Sequence, residues 1–575
     1  MRTVSHAHRL RKGICIAVAC CLAPIALAAH SGSPRDQWTM GGQDLDNSRN
    51  QPESGINKDN VARLKAKWVF TTGGDVSATP AVANGIVYFP DLAGNFYAVD
   101  AATGAQVWQA KVSDWTGVPG DFARNDPVIQ GNLVILGDQA GSLATWDGQK
   151  INGAGAHIMA VNARTGKLVW VSQVDQFPTT QVTSSPVVHD GVLYVGVAAN
   201  EFFPAIQGVP CCVSRGSVVA LDMQTGRKIW QTYMVPDNNG NLGGYSGGGV
   251  WSSTPVIDLK RDAIYVGTGN NLSVPKSVEQ CHQSDPNNRF CADASDHADS
   301  VVALDLTSGK IKWAMRKVNY DVWNVNCDAS FAAGPVPGSG ALSGVRPGPG
   351  PNCPSPPGMD FDFGGSGPNL FSVHDGHGRP RDVLGAGEKS GVYWALDPED
   401  GSLIWHTQVG PGSTLGGIEW GTATDGQRIY VPNANRFGIT YTLQPSGIQA
   451  NSGSWSALDP VDGKLLWQTG TPGQCSAQTS GVVQGCMALG PTSVAGGVVF
   501  AGSMDVNPNN PTMFALDGSS GKVLWSFAAG SSVIAGPAIV ADFLYWGAGY
   551  GHTGPTIGTP NNKLFAFSVG HASNQ

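Results

Sequence analysis

The sequence predicts an all-β chain, an eight-bladed β-propeller whose last blade is closed by strands from both ends of the chain. Three observations predict it. A strand, a turn and a tryptophan recur at intervals mostly near sixty residues, the composition is rich in turn formers (Gly 77, Pro 37), and helical periodicity is almost absent.

Taken in order, the chain opens with Arg2, Arg9, Arg11 and Lys12, followed by an apolar run from Ile14 to Leu27 and small residues at 26–28. That is the pattern of a secretory signal, so residues 1–28 are expected to be a removed leader. The run is too short for a transmembrane span, and no later stretch is long and apolar enough to be one. Residues 29–63 are expected to pack as an N-terminal segment on a propeller spanning 64–575.

The first half-repeat, LKAKW, ends at Trp68. Seven complete copies follow: YAVDAATGAQVW to Trp108, MAVNARTGKLVW to Trp170, VVALDMQTGRKIW to Trp230, VVALDLTSGKIKW to Trp313, YWALDPEDGSLIW to Trp405, WSALDPVDGKLLW to Trp467 and MFALDGSSGKVLW to Trp525. Their Asp and Gly supply the chemistry of a tight hairpin. KLFAFSV (563–569) completes the split eighth copy, and closure by both ends leaves no wide sheet edge. The spacing stretches from Trp230 to Trp313 and from Trp313 to Trp405, so insertions sit there. One is the Pro/Gly-rich excursion 332–358, either a loop that shapes a site or a plain surface loop.

Loss of the leader's four basic residues takes the formal charge from −8 to −12. Nucleic acid is thereby excluded as a partner, and an acidic surface suits a basic redox partner. Eight cysteines remain, and export favours disulfides. Short separations pair 281 with 291, 327 with 353 and 475 with 486, leaving the neighbours Cys211 and Cys212; free buried thiols are the other reading. A bridge between neighbours closes a strained ring of a kind that marks functional sites.

Between the repeats, several segments resemble the pyrroloquinoline-quinone (PQQ) alcohol dehydrogenases. In TSSPVVHDGVLYVGVAANEFF the resemblance implies that Thr183 contacts PQQ and that Glu201 binds its metal. In VWSSTPVIDLKRDAIYVGTGNN it implies Trp251 beneath the quinone and Asn270 on the metal; oxygen ligands suit a hard cation, Ca²⁺. KVNYDVWNVNCDAS resembles the segment of the catalytic Asp, but Trp323-Asn324 stands where Trp-Asp is usual. Asp321 is then the candidate general base and Asn324 a further polar contact to metal or quinone. This Asp-x-Trp-Asn-x-x-Cys pattern, CCVSRGSVVALD and MDFDFG are similar to the polyvinyl-alcohol dehydrogenase branch. The resemblance further implies that Lys389 in GAGEKSG lies near the quinone oxygens, that Trp420 in GGIEWG faces the cofactor chamber and that Arg124 in DFARNDP grips a PQQ carboxylate. Cys211 and Cys212 are placed against the cofactor or at the substrate entrance.

The resemblance implies a periplasmic or secreted oxidation of alcohols, with the secondary alcohols of polyvinyl alcohol first among substrates. No Cys-x-x-Cys-His attaches haem, so electrons are expected to pass to a separate cytochrome c or other acceptor. No GxGxxG supports a nicotinamide cofactor. A quinoprotein for another secondary or aromatic alcohol is the second reading, and a non-catalytic envelope scaffold the third.

Overall fold

In a computed structural model the chain forms eight blades, each with a four-stranded antiparallel core; a fifth strand joins two of them, Thr180–Gln181 in the third and, in parallel, Asn50–Gln51 in the seventh. The structure describes residues 34–201, 209–252, 254–288, 290–327, 352–374, 377–414, 416–473, 476–477, 483–484, 487–551 and 557–570. The leader 1–28, residues 332–351 of the Pro/Gly-rich excursion, and Cys475 and Cys486 lie outside the described residues.

Blade 1 shows the pattern. Ala81–Ala83 is fully buried at the axis, Ile86–Pro90 and Asn95–Asp100 follow, and Gln106–Lys111 alternates exposed and half-buried residues at the rim. In the closing blade, Lys65–Thr71 pairs antiparallel with Lys563–Ser568, as the split repeat predicts.

The tryptophans fix each blade to the next. Their indole Nε1 groups donate across the blade boundary to backbone oxygens: Trp68 to Ala101 (3.1 Å), Trp108 to Ala163 (2.8 Å), Trp170 to Met223 (3.0 Å) and Trp230 to Leu306 (3.1 Å). Trp313 reaches Pro398 (3.2 Å), Trp405 Pro460 (3.3 Å), Trp467 Gly518 (2.9 Å), and Trp525 returns to Leu64 (3.1 Å), just before the closing strand. Across its own strand pair each tryptophan faces an alanine, from Ala98 opposite Trp108 to Ala566 opposite Trp68. A methyl there leaves the indole room to lean onto the neighbouring blade. The motif glycine then lies on that indole with φ between +67° and +75°.

Residues 35–55 run as a collar beneath the ring. Backbone hydrogen bonds join Trp38 to Val82, Thr39 to Ile129, Leu45 to Ile257, Asp46 to Leu370, Ser48 to Thr424 and Arg49 to Val494, and then Gly55 to Ala541. The collar thus bonds to the innermost strands of six blades in turn and to the inner hairpin of the eighth, and Met40 packs against the cores flanking the third. It passes on the side of the motif hairpins and leaves the opposite face open.

Both stretched intervals carry insertions. The first holds a helix, Lys276–Ser284, pinned by a Cys281–Cys291 bridge; the second begins at the turn Val325–Cys327 and returns through a Cys327–Cys353 bridge. Among the described residues no helix is long and apolar enough to cross a membrane.

Two glycine substitutions isolate the docking term. Gly226 (φ +70°) and Gly85 (φ +75°) carry the same left-handed backbone, but a Cβ at Gly226 would lie 2.5 Å from Trp170 whereas nothing lies within 4 Å at Gly85. Gly226→Ala should cost ~1–3 kcal/mol more than Gly85→Ala in urea unfolding; equal losses would mean the indole contact is slack.

Candidate functional site

The direction of the strands gathers the site. In the seven blades other than the closing one the motif hairpin joins the third and fourth strands on the collar side, so the second and fourth strands end on the opposite, upper face. Glu201, Asn270 and Lys389 follow the second strands Val192–Ala199, Ala263–Gly267 and Pro380–Gly387. Arg124, Thr183, Trp251, Asp321 and Trp420 lie between a fourth strand and the next blade's innermost strand. All eight residues therefore come to one face.

Five of them converge at the axis. Arg124, Thr183 and Trp420 line a cavity of about 420 Å³, together with polar residues from the inner ends of other blades, among them Thr79, Asp126 and Ser252. Arg124 stacks over Trp420 (4.8 Å) and its Nη2 donates to the Tyr550 hydroxyl (2.9 Å). Its Nε, and Nε1 of Trp420, are buried with no partner. The indole of Trp251 stands edge-on to Trp420 (5.5 Å, 82°), and Lys389 Nζ lies 4.9 Å from the Trp251 ring centre. Trp251 fits because Gly364 and Gly365 flank it; a Cβ on either would come within 2.6 and 2.9 Å of the indole. Thr183 Oγ1 is held by the amides of Gln139 (3.2 Å) and Gln181 (3.1 Å).

The remaining predicted residues form a second group on the same face. The Glu201 carboxylate accepts from the backbone N–H of Val213 (2.9 and 3.0 Å) and Ser214 (2.7 Å). Its loop joins that of Asn270 through hydrogen bonds from Gly247 N to the Ser214 carbonyl and from Gly248 N to the Asn270 carbonyl (both 2.9 Å). Asn270 Nδ2 donates to the carbonyls of Trp323 (2.6 Å) and Asn271 (2.8 Å), and among the described residues no donor meets its amide oxygen. Asn324 differs, since its amide is spent within the protein: Oδ1 accepts from Asn326, and Nδ2 donates to the Asn352 carbonyl (2.8 Å). Cys211 and Cys212 form a bridge, and their contacts are with this second group.

Asp321 connects the two groups. It is fully buried, and its carboxylate accepts from the backbone N–H of Asp360 (2.9 Å) and Phe361 (2.5 Å). The same segment supplies the partners of Lys389, Asp360 Oδ1 at 2.9 Å and Asp362 Oδ2 at 3.1 Å. Burial works against the charge of Lys389, but these two carboxylates outweigh it and hold its pKa above the ordinary value.

Sequence reasoning missed the acids of this core. Asp360, Asp362, Glu388 and Glu419 are buried, and neither carboxylate oxygen of Glu419 has a partner. The available signal was position: Glu419 precedes Trp420, Glu388 precedes Lys389, and both aspartates lie in MDFDFG. Burial raises Asp321 to about 6 against its two backbone donors. It raises Glu388 to about 7 against Ser390 and Trp394, and Glu419 to about 7 against Lys389. Asp360 stands well above the usual carboxylate range for the same reason, Lys389 opposing.

These shifts fix the sign of the stability profile. Groups whose folded pKa lies above the unfolded value bind protons in the native state that the unfolded chain has released, so stability falls as pH rises between about 4 and 7. The cofactor-free protein should melt highest near pH 4 and progressively lower toward pH 7, levelling off above it, with a smaller slope in Glu419→Gln; a melting temperature that rises between pH 4 and 7 would contradict the assignment.

Comparison with known proteins agrees with this geometry. Residues 38–337 match the family described as glucose/ethanol/alcohol dehydrogenase, beta-propeller domain, and residues 451–554 match the family of the outer membrane protein assembly factor BamB. Polyvinylalcohol dehydrogenase from a Pseudomonas species is 30% identical over 93% of this chain and 78% of its own length. Its counterpart from Sphingopyxis sp. (strain 113P3) is 28% identical over 93% and 76%. The crystal structure of quinohemoprotein alcohol dehydrogenase from Comamonas testosteroni superposes with a TM-score of 0.64 over 94% of this chain and 81% of its own, at 20% identity, and shows the fold. With more than half its length matched by the dehydrogenase family and a full-length relative at 30% identity, the chain belongs to the PQQ-dependent alcohol dehydrogenases.

Proposed function

We propose that the protein oxidises secondary alcohols to ketones in the periplasm with PQQ and Ca²⁺, that polyvinyl alcohol is its substrate, and that a separate cytochrome c or another acceptor takes the electrons. The axial cavity carries this reading. PQQ is a flat anion bearing three carboxylates, and the cavity brings together the flat indole of Trp420, a guanidinium whose buried Nε has no partner among the described residues, and the Thr183 hydroxyl.

The second group suits a hard cation. Glu201 is buried with only backbone donors around it among the described residues, and burial raises its pKa against the Ser214 and Val213 donors. A carboxylate so placed needs a positive partner, which a cation held by Glu201 and the Asn270 oxygen supplies. Asn324 braces the pocket wall through Asn352.

Bound PQQ provides the electron sink, and Ca²⁺ the Lewis acidity that favours hydride transfer. The chain's residues supply the rest. Asp321, largely ionised above pH 6, accepts the hydroxyl proton at a carboxylate oxygen. Lys389 keeps its positive charge beside Trp251, where negative charge develops on reduction. Arg124 and Thr183 hold carboxylates, and Trp251 and Trp420 fix the plane of the cofactor and exclude water. The polymer reading has the names of two relatives behind it. It also has an apolar rim, for Leu242 (54% exposed), Phe290 (78%) and Met359 (63%) stand on upper-face loops where a methylene backbone can lie.

Reconstitution tests this. Purified protein given PQQ and Ca²⁺ should show quenched tryptophan fluorescence and reduce a dye with polyvinyl alcohol, more slowly with 2-butanol. Glu201→Ala should lose activity by about 100-fold or more while retaining the fold. Preference for 2-butanol or an aromatic alcohol would replace the polymer as substrate, and absence of PQQ binding would reject the dehydrogenase reading.

A further inference from the structure

The Cys211–Cys212 bridge lies at a junction that the proposed reaction leaves unused. The two backbone N–H groups that hold Glu201 belong to Val213 and Ser214, the residues immediately after the bridge. Cys212 is fully buried, and its carbonyl accepts from the Ser273 hydroxyl (3.2 Å), three residues beyond Asn270. Ahead of the bridge, the Val209 carbonyl accepts from Asn352 Nδ2 (2.9 Å), and the Asn352 carbonyl accepts from Asn324 Nδ2 (2.8 Å). Beyond it, Asn238 Nδ2 donates to the Val213 carbonyl (2.7 Å). The short loop 209–214 is therefore tied to the segments of Glu201, Asn270 and Asn324 at once.

We infer that the Cys211–Cys212 bridge is a positioning element of the cation pocket: the ring fixes the backbone so that the N–H groups of Val213 and Ser214 converge on Glu201 and aim its carboxylate. Fixing a residue's backbone costs conformational entropy. Here the covalent ring bears that cost before the cation arrives. Opening it returns the freedom to residues 211–214, and the cation must then order them. Reduction by a dithiol balances as one disulfide plus two electrons and two protons giving two thiols, the dithiol becoming the disulfide. The pocket is thereby sensitive to the thiol redox state of its surroundings.

This rests on Glu201 as a cation ligand, and the test separates the two claims. Ca²⁺ binding is measured by calorimetry on the oxidised full chain and on the Cys211→Ser/Cys212→Ser double variant, with melting temperature as a check on the fold. The expected result is at least tenfold weaker Ca²⁺ binding in the double variant, with a cofactor-free melting temperature close to that of the parent. If the parent binds no Ca²⁺, the cation reading itself fails. If parent and variant bind equally, the cation pocket stands and the positioning role is overturned. Should the double variant not fold, Ser273→Ala, which removes the clasp on the Cys212 carbonyl, carries the test: threefold or more weakening supports the inference, and unchanged affinity overturns it.

Discussion

The hydrogen bond from each repeat indole to the backbone of the following blade is the interaction on which the rest of the molecule depends. A single neutral bond of this kind contributes only ~1 kcal/mol net, but here it is repeated at every boundary and at seven of them is joined to a ring face packed on a left-handed glycine. Together these contacts set the angle between neighbouring sheets, and that angle decides whether eight of them close. The eighth contact runs from Trp525 to Leu64 and so reaches from one end of the chain to the other. The collar of residues 35–55 adds a second closure, tying the innermost strands to one strand-like segment beneath the axis. The upper face is then free of any duty in holding the ring together.

That freedom explains where the charged groups accumulate. A buried Lys389 is tolerable because two aspartates touch it, and a buried Asp321 because two backbone amides donate to it. Glu419 has no such compensation, although Lys389, Arg436 and Arg124 all act on it from a distance. The centre of the propeller is thus electrostatically unfinished. Its stability is lent to it by the ring of docked blades, and anionic and cationic ligands are what would complete it.

The fold was legible in the sequence to a large degree because a propeller repeats its own evidence. Tryptophan, turn aspartate and turn glycine each do one geometric task per blade, and a pattern repeated so often stands out against variable loops. Legibility of the site was uneven. Arg124, Thr183, Trp251, Lys389 and Trp420 could be picked by order along the chain, and the strand directions bring them to one face. Asp360, Asp362 and Glu419 could not, since the burial of a lone acid depends on distant segments folding over it. Asn324 marks the limit from the other side. Its place in the motif suggests a contact to metal or quinone, and the sequence does not tell that the amide of Asn326 turns back onto the Asn324 oxygen.

The segment MDFDFG binds the two halves of the site into one unit. Its backbone at Asp360 and Phe361 donates to Asp321, while the side chains of Asp360 and Asp362 hold Lys389, and Gly364 and Gly365 cradle Trp251. Base, cation and indole therefore share a single strip of chain, held with Asp360 in a left-handed conformation at φ +60°. A shift of that strip would move the Asp321 carboxylate and the Lys389 charge together. The strip emerges directly from the insertion that the Cys327–Cys353 bridge closes. The bridged ends of the insertion, Cys327 and Cys353, and the buried residues at the axis are thus joined by one short run of chain.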